Sequence, residues 1–249
     1  MCKTITNKDF WGELNNFSKE INGPIFDFDL LDRPILNIKG EEFELYYKSI
    51  ENVVSDMNIL ERYYKNTMDK LNKVASEYGS KNSYDNIRVL VDIMGYGGLF
   101  DGYLKIINIL NSSDIEFSVH GGSILMSAHA FIFIGIMSDE KTLESNCRIM
   151  VHGAAQYSSG FRKIDLKYLN ETMDALNLID IRGVCSNMLT DYGCLKLNET
   201  LEMHRDTYIN SDEFVKWLKY TSIKQIPNHK RRFISSLEEV ATCEMVSER

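Results

Sequence analysis

The chain has 249 residues, 44% hydrophobic and 26% charged, with a net charge of −8, a composition that suits a soluble globular protein with a core of ordinary size. The acidic balance disfavours nucleic acid and anionic membrane surfaces as partners, and the longest uncharged apolar block, Ala130 to Met137, is too short to span a bilayer. Five scattered cysteines without a C-x-x-C spacing leave no metal or redox motif, and the N-terminus carries charges where a signal peptide needs an apolar core, so a cytoplasmic protein is expected.

Taken in order, residues 1–32 carry Phe10, Trp11, Leu14 and Phe17 at helical spacing and read as an N-terminal arm. Arg33 to Gly40 reads as a strand entered through Pro34 and closed by a glycine. From Glu41 to Tyr78, Ile50, Val53, Met57, Leu60, Tyr64, Leu71 and Val74 fall at helical spacings, a pattern long enough for a break near Ser55 or Asn66. An apolar strand, Ile87 to Met94, leads into Gly95-Tyr96-Gly97-Gly98 and a helix carrying Leu99, Tyr103, Ile106, Ile107 and Leu110. A second run, Ile115 to Val119, reaches Gly121-Gly122, and a helical block follows from Ser127 to Ile134. A third run, Arg148 to Val151, ends on His152.

Beyond it, Gly153 to Lys163 is rich in glycine and serine, and Leu166, Leu169, Met173, Leu176, Ile179, Val184, Met188 and Leu189 predict a long amphipathic helix. Asn198 is a candidate cap for a helix over 199–205, and Ser211 opens another, running to about Tyr220. The basic cluster Lys230-Arg231-Arg232 sits in a polar tail, 221–249. Strands alternating with helices predict an α/β protein whose buried sheet is largely parallel, with one domain over 33–220.

The polar residues fall where such sheets put active sites, at strand ends and helix N-termini. Ser127 opens an apolar helix, His152 ends an apolar strand, and Gly97-Gly98 lets bare backbone approach a substrate carbonyl. A serine nucleophile needs a base, a group that orients the base, and donors for an oxyanion. Singly, each residue is as well explained as a cap, a hydrogen-bonded strand end or a turn. His129 lies about 200° around the helix from Ser127 and reads as a packing or subunit-contact residue; His120 and His204 read as structural or surface residues. Three other motifs fail: Phe100 stands where the third glycine of G-x-G-x-x-G belongs, no Gly-Lys-Ser/Thr follows, and no G-x-S-x-G surrounds Ser127.

Laid out this way, the chain resembles the proteolytic subunit of the Clp protease and its phage-type relatives from about Arg33 to Tyr220. Ser127-Ala-His-Ala-Phe-Ile is similar to the family's Ser-Met-Gly-Ala-Phe-Leu, and Arg148-Ile-Met-Val-His152 to its Arg-Val-Met-Ile-His. Gly95-Tyr-Gly-Gly98 stands where the family has Ser-Pro-Gly-Gly, and His204-Arg-Asp206-Thr-Tyr resembles Glu-Arg-Asp-Arg-Phe. The resemblance implies the fold shared with crotonase-like enzymes, built of repeated ββα or βαβ units, with a protruding handle over about 155–195. It implies a serine endopeptidase with Ser127 as nucleophile, His152 as general base and then acid, and Asp206 orienting the imidazole. Only this motif selects Asp206 from the other aspartates of the same half. Gly98 and Ala128 would supply the oxyanion N–H groups, with no cofactor and no metal. It also implies a homo-oligomer of stacked rings, polypeptide substrates and an ATP-dependent unfoldase as partner.

The chain departs from the family where Ser123-Ile-Leu-Met126 replaces Gly-x-Ala-Ala, where His129 replaces a glycine, and where Tyr96 replaces a proline. Two other functions remain open: a catalytically inactive scaffold or assembly subunit of the same fold, and an acyl-CoA enzyme of the crotonase type.

Overall fold

The computed structural model describes residues 3–40, 47–84, 86–98, 100–152, 183, 185–202 and 206–224. The expected handle lies outside them over 155–182 and at 184, as do the Gly/Ser-rich connection, His204, the basic cluster and the tail from 225 onward.

The segment expected as an arm is built into the core. After β1 (Lys3–Ile5), Thr6 and Asp9 form a reciprocal capping box that starts α1 (Asn7–Trp11), and α2 (Leu14–Glu20) follows. Phe10, Trp11 and Leu14 are fully buried, and Trp11 stacks on Tyr63 at 5.7 Å. That tyrosine lies on α3 (Tyr47–Glu77), whose 31 residues run unbroken through Ser55 and Asn66. No proline or glycine interrupts them, and buried Ile50, Val53, Met57 and Leu60 tie one continuous stripe to the core. β3 (Asn82–Tyr84) closes a small parallel pair with β1.

The main sheet runs β2 (Ile35–Lys39), β4 (Arg88–Gly95), β5 (Glu116–Met126), β6 (Glu140–Glu144) and β9 (Thr221–Lys224), each parallel to the next. β7 (Arg148–Val151) pairs in parallel with the far end of β5, and β8 (Thr207–Ile209) pairs antiparallel with β7. This is the mostly parallel α/β sheet that the apolar runs predict. α4 (Phe100–Asn111) and α5 (Ala128–Gly135) pack on it beside α3, over Val89, Val91, Ile93, Val119 and Leu143, all 1% exposed or less. Residues 221–224, assigned above to the tail, are an edge strand of the sheet.

Two helices near the C-terminal end differ from the spacing-based reading. α6 (Asp191–Glu202) runs straight through Asn198, which is therefore no cap. Buried Leu197, Thr200 and Leu201 carry one face across that position, and the start is met by Thr190, whose hydroxyl accepts from Gly193 N–H at 3.0 Å. α7 (Ser211–Trp217) is capped by Asn210, which accepts from Glu213 N–H at 2.8 Å, and it stops three residues before Tyr220.

β5 is the strand that organises the site. Ile93 pairs with Gly121 but Gly95 pairs with Leu125, so β5 carries two extra residues across a bulge. Before the bulge its outer neighbour is β6, and after it β7. At the other end of the strands, Arg33 bonds Asp29, Ser118 and Glu140, while Arg88 bonds Asp139, Glu116 and Glu140. Both arginines are 8% exposed, and their fans of charge-assisted bonds fasten the beginnings of β2, β4, β5 and β6.

Candidate active site

Ser127 stands between β5 and α5 with φ 51° and ψ −120°, a backbone region that costs a non-glycine residue roughly 1–3 kcal/mol. Such strain persists only where the surroundings impose it. Its N–H donates to Met150 O at 2.8 Å, adding one rung to the β5–β7 ladder, and its Oγ lies 2.8 Å from His152 Nε2. The register Met126↔Met150 makes this meeting possible, because it brings the two strand ends out side by side. Ser127 and His152 are both half-buried, open enough to meet a substrate.

Asp206 reaches the same neighbourhood through the backbone alone. Val151 pairs with Thr207, so the residue before β8 stands across from the residue after β7. Its side chain is exposed, and among the described residues no hydrogen bond or ion pair joins it to His152. The structure therefore brings together a Ser–His dyad and leaves the carboxylate close by in the chain path but not bonded to the imidazole.

The turn after β4 lies against the nucleophile. Gly97 has φ 128° and Gly98 φ 156°, both in the range that favours glycine. A Cβ on Gly97 would stand 2.8 Å from Ser127 Cβ and 3.3 Å from its Oγ. Ala128 heads α5, where the first N–H groups have no intrahelical acceptor and the helix dipole favours negative charge. Both expected oxyanion donors, Gly98 and Ala128, thus belong to segments that flank Ser127.

Two residues of the site's surroundings escape a reading by motif. His129, expected to pack, is fully buried behind the turn, where its Nδ1 accepts a hydrogen bond from Gly97 N–H at 3.1 Å. Burial pulls this imidazole down to about 4, so it is neutral at physiological pH. Lys141 is 1% exposed, and its Nζ donates to Phe133 O at 2.8 Å and Ile134 O at 2.9 Å. It thereby satisfies carbonyls of the last turn of α5, the end where a cation is favoured. Burial pulls the ammonium down to about 7. The available signal was parity: in Glu140-Lys-Thr-Leu-Glu144 the lysine shares the inward face with buried Leu143.

His120 bonds Thr142 Oγ1 at 3.0 Å within the sheet, a structural role as expected. Among the described residues no group of three or more His, Cys, Asp or Glu is placed to hold a metal, and no helix is long and apolar enough to cross a membrane. A cleft of about 400 Å³ lined by Arg88, Phe117 and Asp139 lies at the opposite end of the strands from the dyad and takes no part in it.

The low proton affinity of His129 has a consequence for stability. Its folded value, about 4, is below the ordinary 6.5, so between those pH values the unfolded chain binds a proton that the folded chain refuses. The stabilisation is complete above pH 6.5 and declines as pH falls. Between pH 6.5 and 5 this one group is expected to withdraw roughly 2 kcal/mol. Denaturant melts at both pH values check it: wild type should lose that increment relative to His129→Asn, which has no such proton to bind.

No model of a known protein family matches this chain, and no curated protein matches it.

Proposed function

We propose that the chain is a serine endopeptidase of the Clp proteolytic-subunit type, cytoplasmic, working on polypeptides inside a chamber of stacked rings. The observation that carries the reading is the 2.8 Å approach of His152 Nε2 to Ser127 Oγ, made at neighbouring parallel strand ends with the serine in a strained turn. A packing serine has no need of either feature.

In this reading His152 takes the Ser127 proton as Oγ bonds to the scissile carbonyl carbon. The carbonyl π electrons move onto oxygen, which the N–H groups of Gly98 and Ala128 receive. The tetrahedral intermediate collapses with cleavage of the C–N bond, and the imidazolium hands its proton to the leaving amine. Water, deprotonated in turn by His152, attacks the acyl ester and frees Ser127. Asp206 orients the imidazole once its carboxylate turns to Nδ1–H. The fold shared with crotonase-like enzymes, the handle that joins rings and the ATP-dependent unfoldase that feeds the chamber belong to the same proposal.

A fluorophosphonate probe tests it. Folded wild-type protein should label once, at Ser127, and Ser127→Ala should not label. Folded, oligomeric wild type that stays unlabelled overturns the peptidase reading. That result would select the second reading, a catalytically inactive ring subunit, which an Asp206 that is exposed and not bonded to His152 favours.

A further inference from the structure

We infer that His129 is a positioning residue for catalysis: its imidazole pegs the Gly95–Gly98 turn against Ser127, so that the turn's backbone donors are set before substrate arrives. The inference rests on the hydrolase reading above and adds to it a residue that the family resemblance does not supply, since a glycine stands there in the family pattern.

Three observations carry it. First, the Gly97 N–H donates to His129 Nδ1 at 3.1 Å, with the ring fully buried. Second, ring and turn are matched in shape: a Cβ on Gly95 would lie 2.5 to 2.9 Å from three ring atoms, so the glycine is what admits the imidazole. Third, the other ring nitrogen, Nε2, is buried with no hydrogen-bond partner among the described residues. Because Nδ1 must offer its lone pair to Gly97, the proton is assigned to Nε2, and that N–H goes unsatisfied. A residue needed only to fill the space would be better apolar, since an orphaned buried donor is a cost without a packing return.

The geometry explains the return. His129 lies in the first turn of the short, fully buried helix that Ser127 immediately precedes, so the nucleophile and the peg are held together. Through the peg, the helix also fixes the Gly97 peptide, whose α-carbon already faces Ser127 Cβ. An oxyanion donor works only if it stands about 3 Å from the place where charge develops. Loosening the turn by about 1 Å is enough to lose on the order of 100-fold in rate.

The test compares full-length wild type with His129→Phe, which keeps a ring and removes the acceptor, and His129→Asn, whose Oδ1 can accept from Gly97. Three quantities are read: kcat and KM on a fluorogenic peptide, affinity for a peptide boronate that forms a tetrahedral adduct, and hydrogen exchange at the Gly97 amide. His129→Phe should lose about 10- to 100-fold in kcat and in boronate affinity, with KM within about twofold of wild type. Its Gly97 amide should exchange at least about 10-fold faster, and His129→Asn should recover most of all three. A merely structural histidine would not be rescued by asparagine, nor split kcat from KM.

Wild-type kcat and Gly97 exchange in His129→Phe overturn the inference, as does a His129→Asn protein as impaired as His129→Phe. Should His129→Phe fail to fold, His129→Asn decides alone: retained Gly97 protection and turnover support the peg, and loss of both overturns it. Wild type that neither labels nor hydrolyses sinks the hydrolase reading instead, and the exchange rates then judge the His129 contact separately.

Discussion

Ser127→Ala is expected to cut peptide turnover by on the order of 10⁴- to 10⁶-fold while leaving the melting temperature within a few degrees of wild type. The large effect follows from the 2.8 Å dyad: without Oγ, His152 has nothing to deprotonate and no covalent intermediate forms. The small effect on stability follows from what stays. Alanine at φ 51° is strained much as serine is, and the backbone bond from residue 127 to Met150 O survives. Because the two residues act as one unit, Ser127→Ala/His152→Ala should be about as inactive as Ser127→Ala alone. Hydrolysis of a fluorogenic peptide beside a thermal melt reads both. Substantial residual activity in the single variant would put the nucleophile elsewhere.

The next largest effect is expected from Gly97→Ala. The new methyl group enters at φ 128° and at 2.8 Å from Ser127 Cβ, closer than carbon atoms tolerate, so the turn must back away from the nucleophile. A donor moved out of place at an oxyanion site costs about 10²- to 10³-fold in kcat, and the backbone strain removes roughly 1–3 kcal/mol of stability. Gly79 supplies the control, since it too has positive φ, at 58°, but a Cβ there meets nothing within 4 Å. Gly79→Ala should therefore lose some stability and no turnover. Kinetics and melts on the two variants separate strain from contact, and wild-type kcat in Gly97→Ala would remove the turn from the reacting site.

Much of the architecture was legible because buried parallel strands advertise themselves as continuous apolar runs between glycine-rich turns. Arg88–Gly95 is of this kind, and Ile35–Lys39, which alternates buried with exposed residues, was readable instead from its entry proline and closing glycine. β6 and β9 were not, for a physical reason. Glu140–Glu144 alternates charge with burial, and Thr221–Lys224 is a half-exposed edge strand, so neither presents the run that marks a strand buried on both faces. The site divides the same way. Ser127 and His152 could be read from their places at element ends, since strand register turns such places into neighbours. The role of His129 could not. A helical wheel puts it about 200° from Ser127, but Ser127 has φ 51° and ψ −120° and is not helical, so the wheel misses that both side chains meet the same glycine turn. The Gly97 peptide that bonds it lies 32 residues away in the chain. Asn198 failed as a cap because local preference yielded to burial of Leu197 and Leu201 on either side of it.

The bulge in β5 also constrains how this protein can vary in length. Its surplus over β4 is two residues, and side chains along a strand alternate with a period of two. An even surplus leaves the phase intact, so Leu125, beyond the bulge, still faces the interior as Val119 does before it, at 0% and 1% exposure. An odd surplus would turn Leu125 outward and deliver Ser127 to the wrong side of the sheet. Descendants of this sequence are therefore free to gain or lose residues here in pairs, whereas a change of one inverts the strand and forfeits core and nucleophile together.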